Sequence, residues 1–117
     1  MQIKRVYDDP NNADGFRVLV DRLWPRGVSK DAAAVDAWMK DVTPSDTLRK
    51  RYHADELAFD DFAEYYRAEL AGGSDELNAL AERLRAGETV TLIYAARDES
   101  QNHAMVLRDV LAGLAGA

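Results

Sequence analysis

Cysteine is absent from the 117 residues. That excludes disulfides, thiolate metal sites and a cysteine nucleophile, and it fits a reducing compartment. The chain also has only two histidines, and they show no metal-ligand spacing, so neither a metal nor another cofactor is expected. No stretch approaches the roughly 20 apolar residues of a membrane span. The opening Met1-Gln2-Ile3-Lys4-Arg5-Val6 lacks the apolar run of a secretory signal. The expected location is therefore the cytoplasm, away from membranes. Glycine-rich phosphate loops, nucleophile elbows and triad motifs are missing too. What is present, 47% hydrophobic and 31% charged residues, suits one folded domain over residues 1–117. A chain of this length buries about 60–70% of its unfolded surface without staples.

The net charge of −6 argues against a general nucleic-acid coat, but the charge is uneven. Residues 1–30 carry six basic and four acidic side chains, whereas residues 31–89 carry seven and fourteen. A locally basic N-terminal quarter is joined to an acidic body.

Hydrophobic patterning predicts three strands. Ile3–Tyr7 is β-favouring and closes in the turn signal Asp8-Asp9-Pro10-Asn11-Asn12. Phe16–Val20 and Thr89–Ala95 have unbroken apolar centres, as in strands buried on both faces. Helices are expected between the second and third strands. The first is capped by Ser29 with a stripe Val35, Trp38, Met39 and Val42, and a short one is capped by Ser45. The next carries Phe59, Phe62, Ala63, Tyr66 and Leu70, and another, capped by Ser74, carries Leu77, Leu80, Ala81 and Leu84. A last helix holds Val106, Leu107, Val110, Leu111 and Leu114, with Asp98 and Gln101 at capping-box spacing and a tail from Ala112 that is expected to fray. The class is α/β, with a small, mainly parallel sheet of about three strands flanked by helices. Only residues 8–15 separate the first two strands, short for a parallel crossover, so their relative direction stays open.

In such sheets ligands collect beyond the carboxyl ends of the strands. The second strand exits through Asp21-Arg22-Leu23-Trp24-Pro25-Arg26-Gly27, and the third through Tyr94-Ala95-Ala96-Arg97-Asp98 towards Asn102 and His103. If the two strands are neighbours, Arg22, Arg26 and Arg97 converge with helix N-termini, a combination suited to phosphate or carboxylate. Asp21 and Asp98 would orient the arginines, Trp24, Tyr94 and Asn102 would wall the pocket, and His103 is the candidate general acid or base. His53 and the cluster Arg49-Lys50-Arg51 read instead as a solvated helix face.

The run Arg17–Lys30, with Lys4-Arg5-Val6-Tyr7 before it and Tyr94-Ala95-Ala96-Arg97-Asp98 after it, resembles the signature of the YeaO-like branch of the bacterial domain-of-unknown-function 488 family. The resemblance covers nearly the whole chain and implies an α/β fold with a conserved pocket, but no settled activity. Two departures stand out. Family members commonly have Gly-His-Asp near the end of the short central helix, where this chain reads Tyr52-His53-Ala54-Asp55. Longer relatives carry cysteine and histidine at positions resembling Tyr94, Asn102 and His103, of which this chain keeps the histidine.

The leading expectation is a small intracellular protein that binds a phosphate-bearing metabolite or nucleotide at this two-loop site. The alternatives are a nucleic-acid-binding or regulatory module, whose basic face would join Lys4, Arg5, Lys30 and Arg49–Arg51, and a structural or partner-binding protein. Whether any reaction is catalysed stays open.

Overall fold

The computed structural model describes residues 1–116. Its sheet has four strands, β1 (Gln2–Arg5), β2 (Phe16–Leu19), β3 (Ala37–Trp38) and β4 (Val90–Tyr94), in the order β1-β4-β2-β3. Every pairing is parallel. β1 and β2 therefore run in the same direction without being neighbours, because β4 lies between them. That settles the open direction, since residues 6–15 have only to recross the sheet rather than hold a βαβ helix. A 3₁₀ turn at Asn12–Asp14 packs this link onto the sheet, where the Thr91 hydroxyl donates to the Asp14 carbonyl at 2.7 Å.

β3 is a correction to the helix expected after Ser29. The Ser29 hydroxyl does cap α1 (Lys30–Ala33), but the helix ends after one turn at Ala34, whose φ of 49° is left-handed. The open edge of β2 needs partners for its backbone groups, and the following residues supply them. Asp36 N–H donates to the Arg17 carbonyl at 2.7 Å and Met39 N–H to that of Leu19 at 2.9 Å. The stripe misled because helical and extended backbones can both bury Val35 and Val42 while differing in what lies between them.

The remaining helices are α2 (Asp46–His53), α3 (Phe59–Ala71), α4 (Asp75–Arg85) and α5 (His103–Gly116). Ser45 and Ser74 cap α2 and α4 as expected. α5 differs twice from expectation. Its cap is Asn102, whose Oδ1 accepts from Met105 N–H at 3.0 Å, while Asp98 makes a local turn onto Ser100 and Gln101 N–H. The segment expected to fray is helical through Gly116, and Ala117 lies outside the described residues.

Register sorts the side chains between two faces. Ile3, Leu92, Val18 and Ala37 align on one, and Lys4, Ile93, Leu19 and Trp38 on the other. α2 to α5 cover the first face with the main core, which includes Phe62, Tyr66, Leu80, Leu107 and Leu111. A smaller core on the second joins Leu19 and Ile93 to Val6, Ala33, Trp24 and Val28. Beside it sits a buried charge cluster. Asp14, 2% exposed, accepts from Arg17 Nη1 at 2.6 Å, Lys4 Nζ at 3.1 Å and Asn11 N–H at 3.0 Å. Arg17 also donates to the Ala34 and Ala33 carbonyls, which anchors the end of α1.

Candidate functional site

Chain direction creates the site. The exit of β2 turns to the second face through Trp24, Val28 and α1, whereas the exit of β4 turns to the first face into α5. Adjacent parallel strands whose connections leave to opposite faces open a crevice at their carboxyl ends. The loops are tied at the base of the crevice, where Asp21 Oδ2 accepts from Ala95 N–H at 3.0 Å. Above them lies a cavity of about 380 Å³, walled by the β2 exit, the β4 exit, α2 and Phe62 of α3.

Five of the residues expected from sequence line this cavity: Asp21, Arg22, Arg97, Asn102 and His103. The other four do not. Trp24 faces the second core, where its ring N–H donates to the Val28 carbonyl at 2.6 Å and it meets Trp38 edge-on at 5.4 Å. Arg26 is exposed beyond the turn, with its carbonyl accepting from the Tyr7 hydroxyl at 3.4 Å. Tyr94 is buried in the main core, and that burial pushes its hydroxyl pKa up. Asp98 points its carboxylate back at Gln101 and Ser100 N–H, which hold its carboxyl below the usual range.

The cavity is also lined by residues not expected from sequence, among them Thr43, Pro44, Arg49, Tyr52, His53 and Phe62. Arg49, Tyr52 and His53 have i, i+3, i+4 spacing and so share one face of α2. That signal was in the sequence, hidden by the neighbouring Lys50 and Arg51. Arg22 and Arg49 share one carboxylate. Asp46 Oδ1 accepts from Arg49 Nη2 at 3.1 Å and lies 3.6 Å from Arg22 Nε, while Arg22 Nε donates to the Pro44 carbonyl at 3.3 Å. The Arg49 hydrogen bond, with Arg22 nearby, holds the Asp46 carboxyl below its usual range. Arg97 has no ion pair among the described residues. Three guanidinium groups thus line the cavity with one lining carboxylate, Asp21, while Asp46, Asp55 and Asp98 lie nearby.

His103 is held rather than free. Its Nε2 lies 2.9 Å from the Val20 carbonyl and 3.1 Å from Asp21 Oδ1. A carbonyl only accepts, so Nε2 carries a proton. The N–H is aligned on Val20, which leaves the buried Asp21 Oδ1 without a hydrogen bond of its own. Asp21 is anchored further by its carbonyl, which accepts from the Trp38 ring N–H at 2.7 Å. No group of three or more His, Asp or Glu residues placed to hold a metal ion occurs among the described residues, and no described helix is long and apolar enough to cross a membrane.

A parallel α/β sheet with an arginine-lined crevice at its switch point is the class that fold and site define. Residues 1–115 match the family model described as the inactive DUF488-N3 subclade. The uncharacterised protein YeaO of Escherichia coli K12 is 46% identical over 114 residues, covering 97% of this chain and 98% of its own. Uncharacterised proteins Mb3100c of Mycobacterium bovis and Rv3073c of Mycobacterium tuberculosis H37Rv are each 44% identical over 115 residues, covering 97% of this chain and 94% of theirs. No solved structure matches. The chain belongs to the YeaO-like DUF488 family, in the subclade described as inactive.

Proposed function

We propose that this protein binds a phosphate-bearing metabolite or nucleotide in the β2–β4 cavity and does not turn it over. The observation that carries the reading is the convergence of Arg22, Arg49 and Arg97 on one cavity of about 380 Å³ in a chain of net charge −6. Guanidinium forks are suited to bidentate recognition of phosphate or carboxylate. The volume lies near the lower end of the roughly 300–1,000 Å³ usual for small-molecule sites, so the fit is to one mononucleotide-sized ligand. Binding without catalysis agrees with the family's description as inactive and with a histidine committed to a backbone carbonyl. Cytoplasmic residence belongs to the same reading.

A nucleic-acid surface is less well supported. Lys4 is spent on Asp14, Arg5 donates to the carbonyls of Ala95 and Ala96, Arg49 lines the cavity and Arg51 lies over the Tyr65 ring. Lys4, Arg5 and Arg51 are therefore already engaged within the protein.

The test is a thermal-shift screen of phosphorylated metabolites and nucleotides on the wild type, Arg97→Gln and Arg26→Ala. A ligand present at 100 times its Kd stabilises the folded state by about 2.7 kcal/mol. Arg97→Gln should lose that response and Arg26→Ala should keep it. Equal responses from all three proteins would remove the cavity from the account.

A further inference from the structure

The cavity is polarised, and its polarity constrains what enters. Its guanidinium groups are the more accessible part: Arg97 is exposed, and the Arg22 and Arg49 side chains are each about one-third exposed. Its floor is different. Phe62 is 3% exposed, Pro44 is buried, and Tyr52 stacks on Phe62 with ring centroids 4.5 Å apart.

Most polar side chains at that depth are already engaged within the protein, the buried Asp21 Oδ1 and Arg49 Nε being the exceptions. Thr43 donates its hydroxyl proton to the Lys40 carbonyl. Asn102 donates to the Asp98 carbonyl and accepts from Met105 N–H. The Nε2 proton of His103 goes to Val20. A heavily hydroxylated group beside Tyr52 and Phe62 would find Asp21 Oδ1 and Arg49 Nε as its only unpartnered buried protein atoms and would exchange water for few new hydrogen bonds, which is unfavourable. A flat aromatic group would gain contact with Tyr52 and Phe62 without needing several hydrogen-bond partners.

We infer that the ligand is an amphipathic anion, with a flat aromatic body seated on the Tyr52–Phe62 floor and a phosphate or carboxylate held outward at the arginines. This rests on the anion-binding reading and narrows it. Aryl phosphates, aryl carboxylates and nucleotides that insert their base belong to the class, whereas sugar phosphates and free phosphate do not.

The probes are phenyl phosphate, inorganic phosphate and phenol, each titrated into the wild-type protein and followed by two-dimensional amide NMR, with Arg97→Gln as the site marker. Phenyl phosphate should bind at least ten-fold more tightly than inorganic phosphate, a difference of about 1.4 kcal/mol. It should also bind more tightly than phenol, shift amides of Tyr52 and of Ala95–Arg97, and weaken on Arg97→Gln. Equal affinity for phenyl phosphate and inorganic phosphate would overturn the inference while leaving anion binding intact. Phenol binding as well as phenyl phosphate would instead overturn the anion reading. Failure of both anions to bind would overturn both.

Discussion

Asp14→Ala should cost this protein about 3 kcal/mol, a large share of the roughly 5–15 kcal/mol that holds a typical domain together. The carboxylate is 2% exposed and accepts from Arg17, Lys4 and the Asn11 backbone. Removing it strands the Arg17 guanidinium, whose side chain is 5% exposed. Breaking one half of a buried pair typically costs about 3–5 kcal/mol. The lower end applies here, because Arg17 keeps the Ala33 and Ala34 carbonyls and Lys4 can reach water. Urea unfolding followed by circular dichroism at neutral pH measures the loss, and an unchanged m-value would confirm that stability alone had altered. Replacing both partners, Asp14→Leu with Arg17→Met, should recover most of it. The acid side gives a second reading. Burial pulls the Asp14 carboxyl up, but the Asn11 N–H, Lys4 and Arg17 outweigh it and the net shift is downward. A lowered folded value means that the contribution is complete above the ordinary carboxylate range, about 3.9, and is lost as pH falls through the folded value. The gap between wild type and Asp14→Ala should therefore narrow on acidification. A loss under about 1 kcal/mol at neutral pH, or a gap that widens in acid, would refute the reasoning.

Gly15→Ala should be severe, because a Cβ there would lie 2.3 Å from the Thr89 carbonyl oxygen and φ is +65°. A cost of at least about 2 kcal/mol is expected from overpacking and left-handed strain together, read as a lower urea midpoint. Tyr66→Phe removes the buried hydroxyl that donates to the Val42 carbonyl and leaves that acceptor unpaired, for about 1–3 kcal/mol by the same assay. Arg97→Gln, at an exposed position without an ion pair, should leave unfolding within about 0.5 kcal/mol of wild type while abolishing ligand-induced stabilisation. A large intrinsic loss of stability would mark that arginine as structural.

The sequence carried most of the architecture wherever pattern and period agreed. The apolar centres of β2 and β4 could be read directly, and so could the stripes of α3 and α4 and the serine caps. β3 could not, because two residues at a sheet edge leave no periodicity and Val35, Trp38, Met39 and Val42 fit a helix equally well. Only the unpaired edge of β2 decides between the two, and that edge exists only once β2 has its place in the sheet. The site was half legible. The two strand exits were visible as polar interruptions after apolar runs, which located Asp21, Arg22, Arg97 and His103. Trp24 looked like a pocket wall for the same reason, but turns to the opposite face because the β2 exit does. Arg49, Tyr52 and His53 share one face of α2, but nothing local says that this face looks onto the ends of β2 and β4.

The strand order also governs when the protein can fold. β1 has no pairing partner except β4, which is made from residues 90–94, near the end of the chain. During synthesis the first strand emerges early and stays without a sheet neighbour until more than three-quarters of the polypeptide exists. Only the β2–β3 pair can form beforehand, and it has just two residues in register. Closure of the sheet is therefore a late, long-range event of the kind that slows folding and leaves apolar segments exposed in the meantime. A nascent chain released before residue 94 would have neither a central strand nor a crevice. The segment that completes the crevice is the same one that completes the fold.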